Sequence, residues 1–333
     1  MAVIGAGAWG TALAAHAARI DHDVRLWARE PEVAKDVAER HENRMFLEGV
    51  ALPSTLGAST DAADVLVNAE LVVLVPPSAF LGHVARVVAP HVPRTARVVI
   101  ATKGIENESL RLMNEIVADA LPDHAATLSV LSGPSFAREV ASGLPTDVVI
   151  ASRDVSAAND LAEALHSPMF RVYTSQDPVG VEVGGAMKNV LAIAAGACDG
   201  LSLGTNARAA LVTRGLAEMA RLGVAMGGDP MTFMGLSGVG DLILTSTGAL
   251  SRNRALGMKL AEGIDAKAYL ASQRTVAEGF GTAKAAHALA KKLGVEMPIT
   301  EQVYYVLHEG RPLFEALKQL LTRPQKEELW GFR

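Results

Sequence analysis

Through its first 175 residues the chain alternates short runs of branched apolar residues with segments of helical periodicity, and then the alternation stops. The runs are "AVIG", "DVRLWA", "LVVLV", "ARVVIAT", "LSVLS", "DVVIAS" and "RVYTS". Several are apolar throughout, as suits a strand covered on both faces. Helical patterns fall between them, for example over 11–20, 31–40 and 109–121. Such alternation leaves few topologies: crossovers are right-handed, and the strands lie mostly parallel with helices on both faces. From Pro178 onward the pattern is helix after helix, punctuated by glycine-rich stretches near 196–204, 227–228 and 235–240. The chain therefore reads as α/β: a doubly wound, mostly parallel sheet over 1–177, then an all-α domain over 178–333. Its 333 residues exceed what one core usually organises, which agrees with two domains.

Composition narrows the class. Half the residues are hydrophobic and a fifth are charged, the balance of a well-buried globular protein. The net charge is -5 and no basic run occurs, so nucleic acid is not an expected partner. The single cysteine, Cys198, rules out a disulfide framework and a cysteine metal site, and fits a reducing, cytoplasmic setting. No metal is expected. The opening "MAVIGAGAWG" lacks the cationic region of a signal peptide. The most apolar stretch, 181–200, is interrupted by Glu182, Lys188 and Asp199, too closely for a membrane span.

"VIGAGAWGTALA" places Gly5, Gly7 and Gly10 in the GxGxxG pattern, directly after a strand and directly before a helix. Gly5 permits the tight turn, Gly7 lets backbone approach a pyrophosphate, and Gly10 lets the helix pack on the strand. The helix start adds N–H donors and a partial positive charge. In that setting the motif reads as a Rossmann-type dinucleotide site. The tip of the second strand, "LWAREPE", carries Arg29 and then Glu30. An arginine there suits a ribose 2′-phosphate and an acid suits a free 2′-hydroxyl, so NADP is favoured with NAD also usable. Ligands of open parallel sheets lie beyond the carboxyl ends of the strands. The segments there are "PPSAF", "KGIE" and "GPSFA", and Lys103 is the cation among them.

The helical half raises a different question. On the helical face of Lys188 lie Val181, Gly184, Gly185, Leu191, Ala192 and Ala195, none of them charged. Burying a lysine there costs several kcal/mol unless it is paired, neutral or reaching into a cleft. A lysine so placed suits general acid/base work beside a hydride transfer; the bland alternative is an amine that snorkels to solvent. Residues 236–257, "LSGVGDLILTSTGALSRNRALG", supply partners. Asp241 and Thr245 are four apart, hence on one helical face, and Asp241 is placed to hold Lys188. Ser251 reads as an N-cap with Arg252 and Asn253 in the first turn. A cation at a helix start is unfavourable for the helix but good for a phosphate. Arg254 reads as a solvated neighbour.

These segments, "GAGAWGTALA", "ATKGIE", "SGPSFAREV", "GAMKNVLAIAAG", "NARAALVTRGLAEMARLG", "GVGDLILT" and "SRNRALG", together resemble the bacterial NAD(P)-dependent glycerol-3-phosphate dehydrogenases, in family order from residue 1 to about 310. The resemblance implies reversible reduction of dihydroxyacetone phosphate to sn-glycerol 3-phosphate, the phospholipid backbone. Lys188 would be the proton donor and acceptor, with Lys103 and Asp241 also catalytic. Gly133, Ser135, Asn189, Thr245, Ser251, Arg252 and Asn253 would line the substrate, with Lys103, Lys188 and Asp241. Ala8, Trp9, Arg29, Lys103, Ala137, Arg252, Val276 and Glu278 would contact the cofactor. A homodimer is expected. The stretch "ENRMFLEGVALP", 42–53, matches the family loosely and receives no assignment. A β-hydroxyacid dehydrogenase, which binds a carboxylate, and a non-catalytic nicotinamide sensor are the alternatives.

Overall fold

A computed structural model describes residues 1–273 and 277–328. The chain divides into two compact units, one of Met1–Lys103 with Met113–Pro178, the other of Gly104–Leu112 with Val179 onward.

The first unit is built on one eight-stranded sheet. Its strands are β1 (Ala2–Ile4), β2 (Arg25–Trp27), β3 (Gly57–Ser59), β4 (Leu71–Leu74), β5 (Arg97–Ile100), β6 (Ser129–Ser132), β7 (Thr146–Ser152) and β8 (Phe170–Ser175). Their order is β3-β2-β1-β4-β5-β6-β7-β8, parallel except where β6 meets β7. The mostly parallel, doubly wound expectation is met. Ile4 at the end of β1 aligns with Trp27 on one side and Leu74 on the other. The winding reverses between β1 and β4, and a crevice opens beyond the strand ends at such a point. The glycine turn follows β1 directly. Strand β3 escaped the sequence reading because "GAS" has no apolar run; pairing with Arg25–Trp27 makes it a strand.

Helix boundaries moved where local backbone required it. The first helix spans Ala8–Arg19, entered from an extended Gly7. The 31–40 pattern is α-helical over Pro31–Lys35 and widens over Asp36–Arg40, ending at His41 in a left-handed conformation (φ 56). The 109–121 pattern shortens to Met113–Ala120, since Leu110 is left-handed (φ 61) and Leu112 bridges Ile105. Ile105 and Leu112 are both buried in the second unit's core, so Gly104–Leu112 belongs there, an excursion the sequence pattern does not separate from the first unit.

The second unit centres on the Pro178–Gly200 helix, whose Val183, Met187, Val190 and Leu191 are buried. Around them pack Met219 and Leu222 of the Thr205–Ala225 helix, with Phe233, Leu242, Leu256, Ala283 and Val303. This central helix is long and apolar enough to cross a membrane, yet 89% of its apolar window is buried within the fold. It is a core helix by that test. The Arg252–Ala261 helix crosses it at glycines. A Cβ on Gly196 would lie 2.0 Å from the Arg254 carbonyl oxygen, and one on Gly257 equally close to that of Ile193. Two backbones therefore touch, which brings the start of the later helix onto the face of the earlier one.

Candidate active site

In the first unit the turn after β1 depends on close approach. Gly5 sits at φ 118, a region closed to most side chains. A Cβ on Gly10 would lie 1.9 Å from the Gly5 carbonyl oxygen, so the helix can start there only without a side chain. Gly7 differs. It is exposed, and a Cβ on it would meet nothing within 4 Å. The Ala8–Arg19 helix has no side-chain cap and no acid in its first turn, so none of its own side chains competes for its first N–H groups. An open backbone patch at a positive helix end fits the pyrophosphate of a nicotinamide dinucleotide. Trp9, beside Ala8 in the first turn, has a buried Nε1 with no hydrogen-bond partner among the described residues, a donor that a bound polar group would satisfy.

Around this turn the structure places the other expected residues of the first unit. Arg29, at the β2 tip, is exposed and donates to Glu30 Oε1 from Nε at 3.0 Å and from Nη2 at 2.6 Å. The two residues that argue for opposite coenzymes thus hold each other. Lys103 follows β5, and its Nζ donates to the Gly133 carbonyl oxygen at 3.2 Å. The Ser135 hydroxyl donates to the same oxygen at 2.9 Å. Gly133 is at φ 130, packed against Val148, so the turn after β6 is tight enough to bring both side chains to one carbonyl. Ala137 opens the short Ala137–Ala141 helix just beyond.

In the second unit Lys188 has found its partner. Its Nζ donates to Asp241 Oδ1 at 2.6 Å, and the two side chains are 12% and 0% exposed. Asp241 begins the Asp241–Thr247 helix, where the helix dipole favours a negative charge. A wide turn over Leu236–Gly240, closed by Gly240 N–H on the Gly235 carbonyl at 3.2 Å, delivers it. That turn lies flat on the lysine helix because Gly184 has no side chain; a Cβ there would be 2.4 Å from the Ser237 carbonyl oxygen. Thr245, one turn on, donates to Asp241 Oδ1 at 3.2 Å. The shared face of Asp241 and Thr245, expected from their spacing, and the candidate pairing of Asp241 with Lys188 are both present.

The start of the Arg252–Ala261 helix forms the rest of the cluster. Ser251 caps it, accepting from Arg254 N–H at 3.2 Å. Arg252 is exposed; partial desolvation lowers its pKa and the Glu278 carboxylate opposes that shift. Glu278 opens the Glu278–Leu293 helix. Asn253 is buried, donating to Asn189 Oδ1 at 2.9 Å and accepting from Gly279 N–H at 3.0 Å. Asn189 and Asn253 are therefore brought together with the start of the Glu278 helix. Val276 lies outside the described residues.

Two features differ from the sequence reading. Arg254 is not solvated: its guanidinium pairs with Asp199 Oδ2 at 2.7 Å, while Arg208 takes Oδ1 at 2.8 Å. Asp199, a lone acid at the end of an apolar helix, was the available signal and went unread. Gly279 also went unread, although a Cβ on it would lie 2.6 Å from the Asn189 carbonyl oxygen and 2.8 Å from Asn253 Oδ1. No group of three or more potential metal-ligating side chains occurs among the described residues.

Comparison with known proteins places the chain among characterised folds and sequences. Residues 1–158 match the N-terminal model, and 177–318 the C-terminal model, of NAD-dependent glycerol-3-phosphate dehydrogenase. The chain is 50% identical over 328 residues to the glycerol-3-phosphate dehydrogenase [NAD(P)+] of Solidesulfovibrio magneticus, covering 98% of this chain and 99% of that one. It is also 50% identical to the Geobacter sulfurreducens enzyme of the same name, covering 98% of each. The crystal structure of glycerol-3-phosphate dehydrogenase from Coxiella burnetii superposes with a TM-score of 0.91 at 42% identity, covering 96% of this chain and 98% of that one.

Proposed function

The chain belongs to the NAD-dependent glycerol-3-phosphate dehydrogenase family, and from that premise we propose that it interconverts dihydroxyacetone phosphate and sn-glycerol 3-phosphate with NAD(P)H, for phospholipid synthesis. The observation that carries this reading is the Lys188–Asp241 pair: an amine held at 2.6 Å by a fully buried carboxylate, on a helix face otherwise without charge.

Bound nicotinamide supplies the hydride for reduction and accepts it in oxidation. The chain handles the proton. Lys188 gives one from Nζ to the ketone oxygen, so that ketone, hydride and proton together make the secondary alcohol, and it takes that proton back in reverse. Asp241 aims the amine through Oδ1, and Thr245 donates to the same oxygen and fixes its direction. The substrate phosphate is an anion, and Arg252 at an N-terminal helix turn capped by Ser251 is a site suited to one. Asn189 and Asn253 complete that polar wall. Lys103, Gly133 and Ser135 are assigned to substrate as well, and Lys103 to cofactor. Gly5, Gly7, Ala8, Trp9, Gly10, Arg29, Ala137, Arg252 and Glu278 take the dinucleotide. In this reading 1–177 is the dinucleotide domain, 178–333 the catalytic one, and both NADP and NAD serve, in a cytoplasmic homodimer.

The test is oxidation of NADPH and of NADH with dihydroxyacetone phosphate, run beside unphosphorylated dihydroxyacetone. Turnover should require the phosphate. Equal rates with both ketones would remove the phosphate site, and no rate with either would remove the activity.

A further inference from the structure

The unassigned stretch 42–53 holds one of the most buried polar side chains of the first unit, Asn43, at 1% exposure. Its Nδ2 donates to the Ala6 carbonyl oxygen at 2.9 Å and to Thr11 Oγ1 at 2.8 Å. The Thr11 hydroxyl donates in turn to the same Ala6 oxygen at 3.2 Å. On its other side, Asn43 Oδ1 accepts from Phe46 N–H at 3.1 Å. The amide has one possible orientation, because an N–H can only donate to Oδ1 and a carbonyl can only accept from Nδ2. Both amide hydrogens and the hydroxyl hydrogen then have an acceptor each.

Ala6 directly precedes Gly7, which is exposed and on which a Cβ would meet nothing within 4 Å. The Ala6 C=O and the Gly7 N–H belong to one trans peptide and point in opposite directions. Two buried donors pull the carbonyl inward, which turns the Gly7 N–H outward. We infer that Asn43 is a positioning residue for the dinucleotide: with Thr11 it locks the Ala6–Gly7 peptide so that the Gly7 N–H is presented to a phosphate oxygen. The lock has a physical reason. A turn between Gly5 and Gly7 has little steric resistance to a peptide flip, and a flipped peptide would face the phosphate with a carbonyl oxygen instead of a donor. The inference rests on the dinucleotide reading of this turn.

Asn43→Asp tests it, since it keeps the shape and the acceptor for Phe46 N–H but replaces both donors with an acceptor. Binding of NADPH and NADH to the substrate-free protein, followed by fluorescence, should weaken by about tenfold or more. The Michaelis constant for dihydroxyacetone phosphate and kcat at saturating cofactor should change by less than about threefold, because uniform cofactor binding is what is lost. Thr11→Ser should bind like the parent and Thr11→Val should lose part of the affinity. Parental affinity in Asn43→Asp, or a loss shared equally by both Michaelis constants, would overturn the role. Should Asn43→Asp not fold, Thr11→Val carries the test, and unchanged binding there overturns it. A parent chain that binds neither dinucleotide would overturn both this inference and the reading beneath it; a parent that binds beside an equally tight Asn43→Asp overturns this inference alone.

Discussion

At the residue scale, buried charge is informative because it is expensive to leave unpaired. Lys188 announces itself in the sequence by standing among small apolar residues, and Asp241 at 2.6 Å is what makes its position tolerable. Lys188→Arg keeps a cation for Asp241 but no readily transferred proton. It should retain cofactor affinity while kcat falls by about a hundredfold or more, the usual worth of a positioned acid/base. Cofactor titration and steady-state rates check this, and near-normal kcat would reject the assignment. The Arg29–Glu30 pair makes a second prediction. Arg29→Ala should lower the ratio of NADPH to NADH efficiency, and Glu30→Gln, which frees the guanidinium, should raise it. If neither ratio moves, coenzyme choice is read elsewhere. Lys188, Arg252 and the N-cap Ser251 were legible because each breaks a local pattern, whereas Arg254 was misread because its partner Asp199 lies on another helix. Asn43 was not legible, because an asparagine in a loop breaks none.

At the scale of elements, polar residues of one helix complete another. The Pro298–His308 helix has no side-chain cap of its own. Glu218, from the Thr205–Ala225 helix, accepts from Ile299 N–H at 2.6 Å, Thr300 N–H at 3.0 Å and the Thr300 hydroxyl at 2.9 Å. Burial raises its pKa from 4.5 to about 7, against those hydrogen bonds and the nearby Arg221. The folded state therefore holds this proton more tightly than the unfolded chain. The stability from this group is complete below 4.5 and falls as pH climbs to about 7. Glu218→Gln turns an amide N–H toward a backbone donor and should cost about 1–3 kcal/mol. It should also flatten the decline in stability between those pH values, which denaturant midpoints at a series of pH would show. An unchanged slope would mean that Glu218 does not titrate there. Amphipathic periodicity told which face of these helices is buried. It carried no information on which distant carboxylate caps which helix.

At the scale of the molecule, each unit has its own core, as chain length and the change in patterning at 175–178 imply. Some apolar surface is left over. Phe314 and Leu321, seven residues apart on the Leu313–Leu321 helix, are each 75% exposed. Large side chains uncovered on one helical face suit contact with a second copy. Light scattering should give twice the 34.9 kDa chain mass, and Phe314→Glu with Leu321→Glu should shift that mass toward a single chain. A parent that runs as a monomer would remove the dimer from the account.

What the sequence determined by itself is what nearest neighbours along the chain can encode. Strand and helix periods, the glycines that a tight turn requires, the cap at Ser251 and the order of the motifs all act over a few residues, and all were readable. Only the tertiary structure decided which buried polar groups meet. Asn189 and Asn253 are 64 residues apart, Asp199 and Arg254 are 55 apart, and Ala6 and Asn43 are 37 apart. Periodicity says that a side chain faces inward, but a hydrogen bond depends on distance and direction between backbones that only the packed fold brings together.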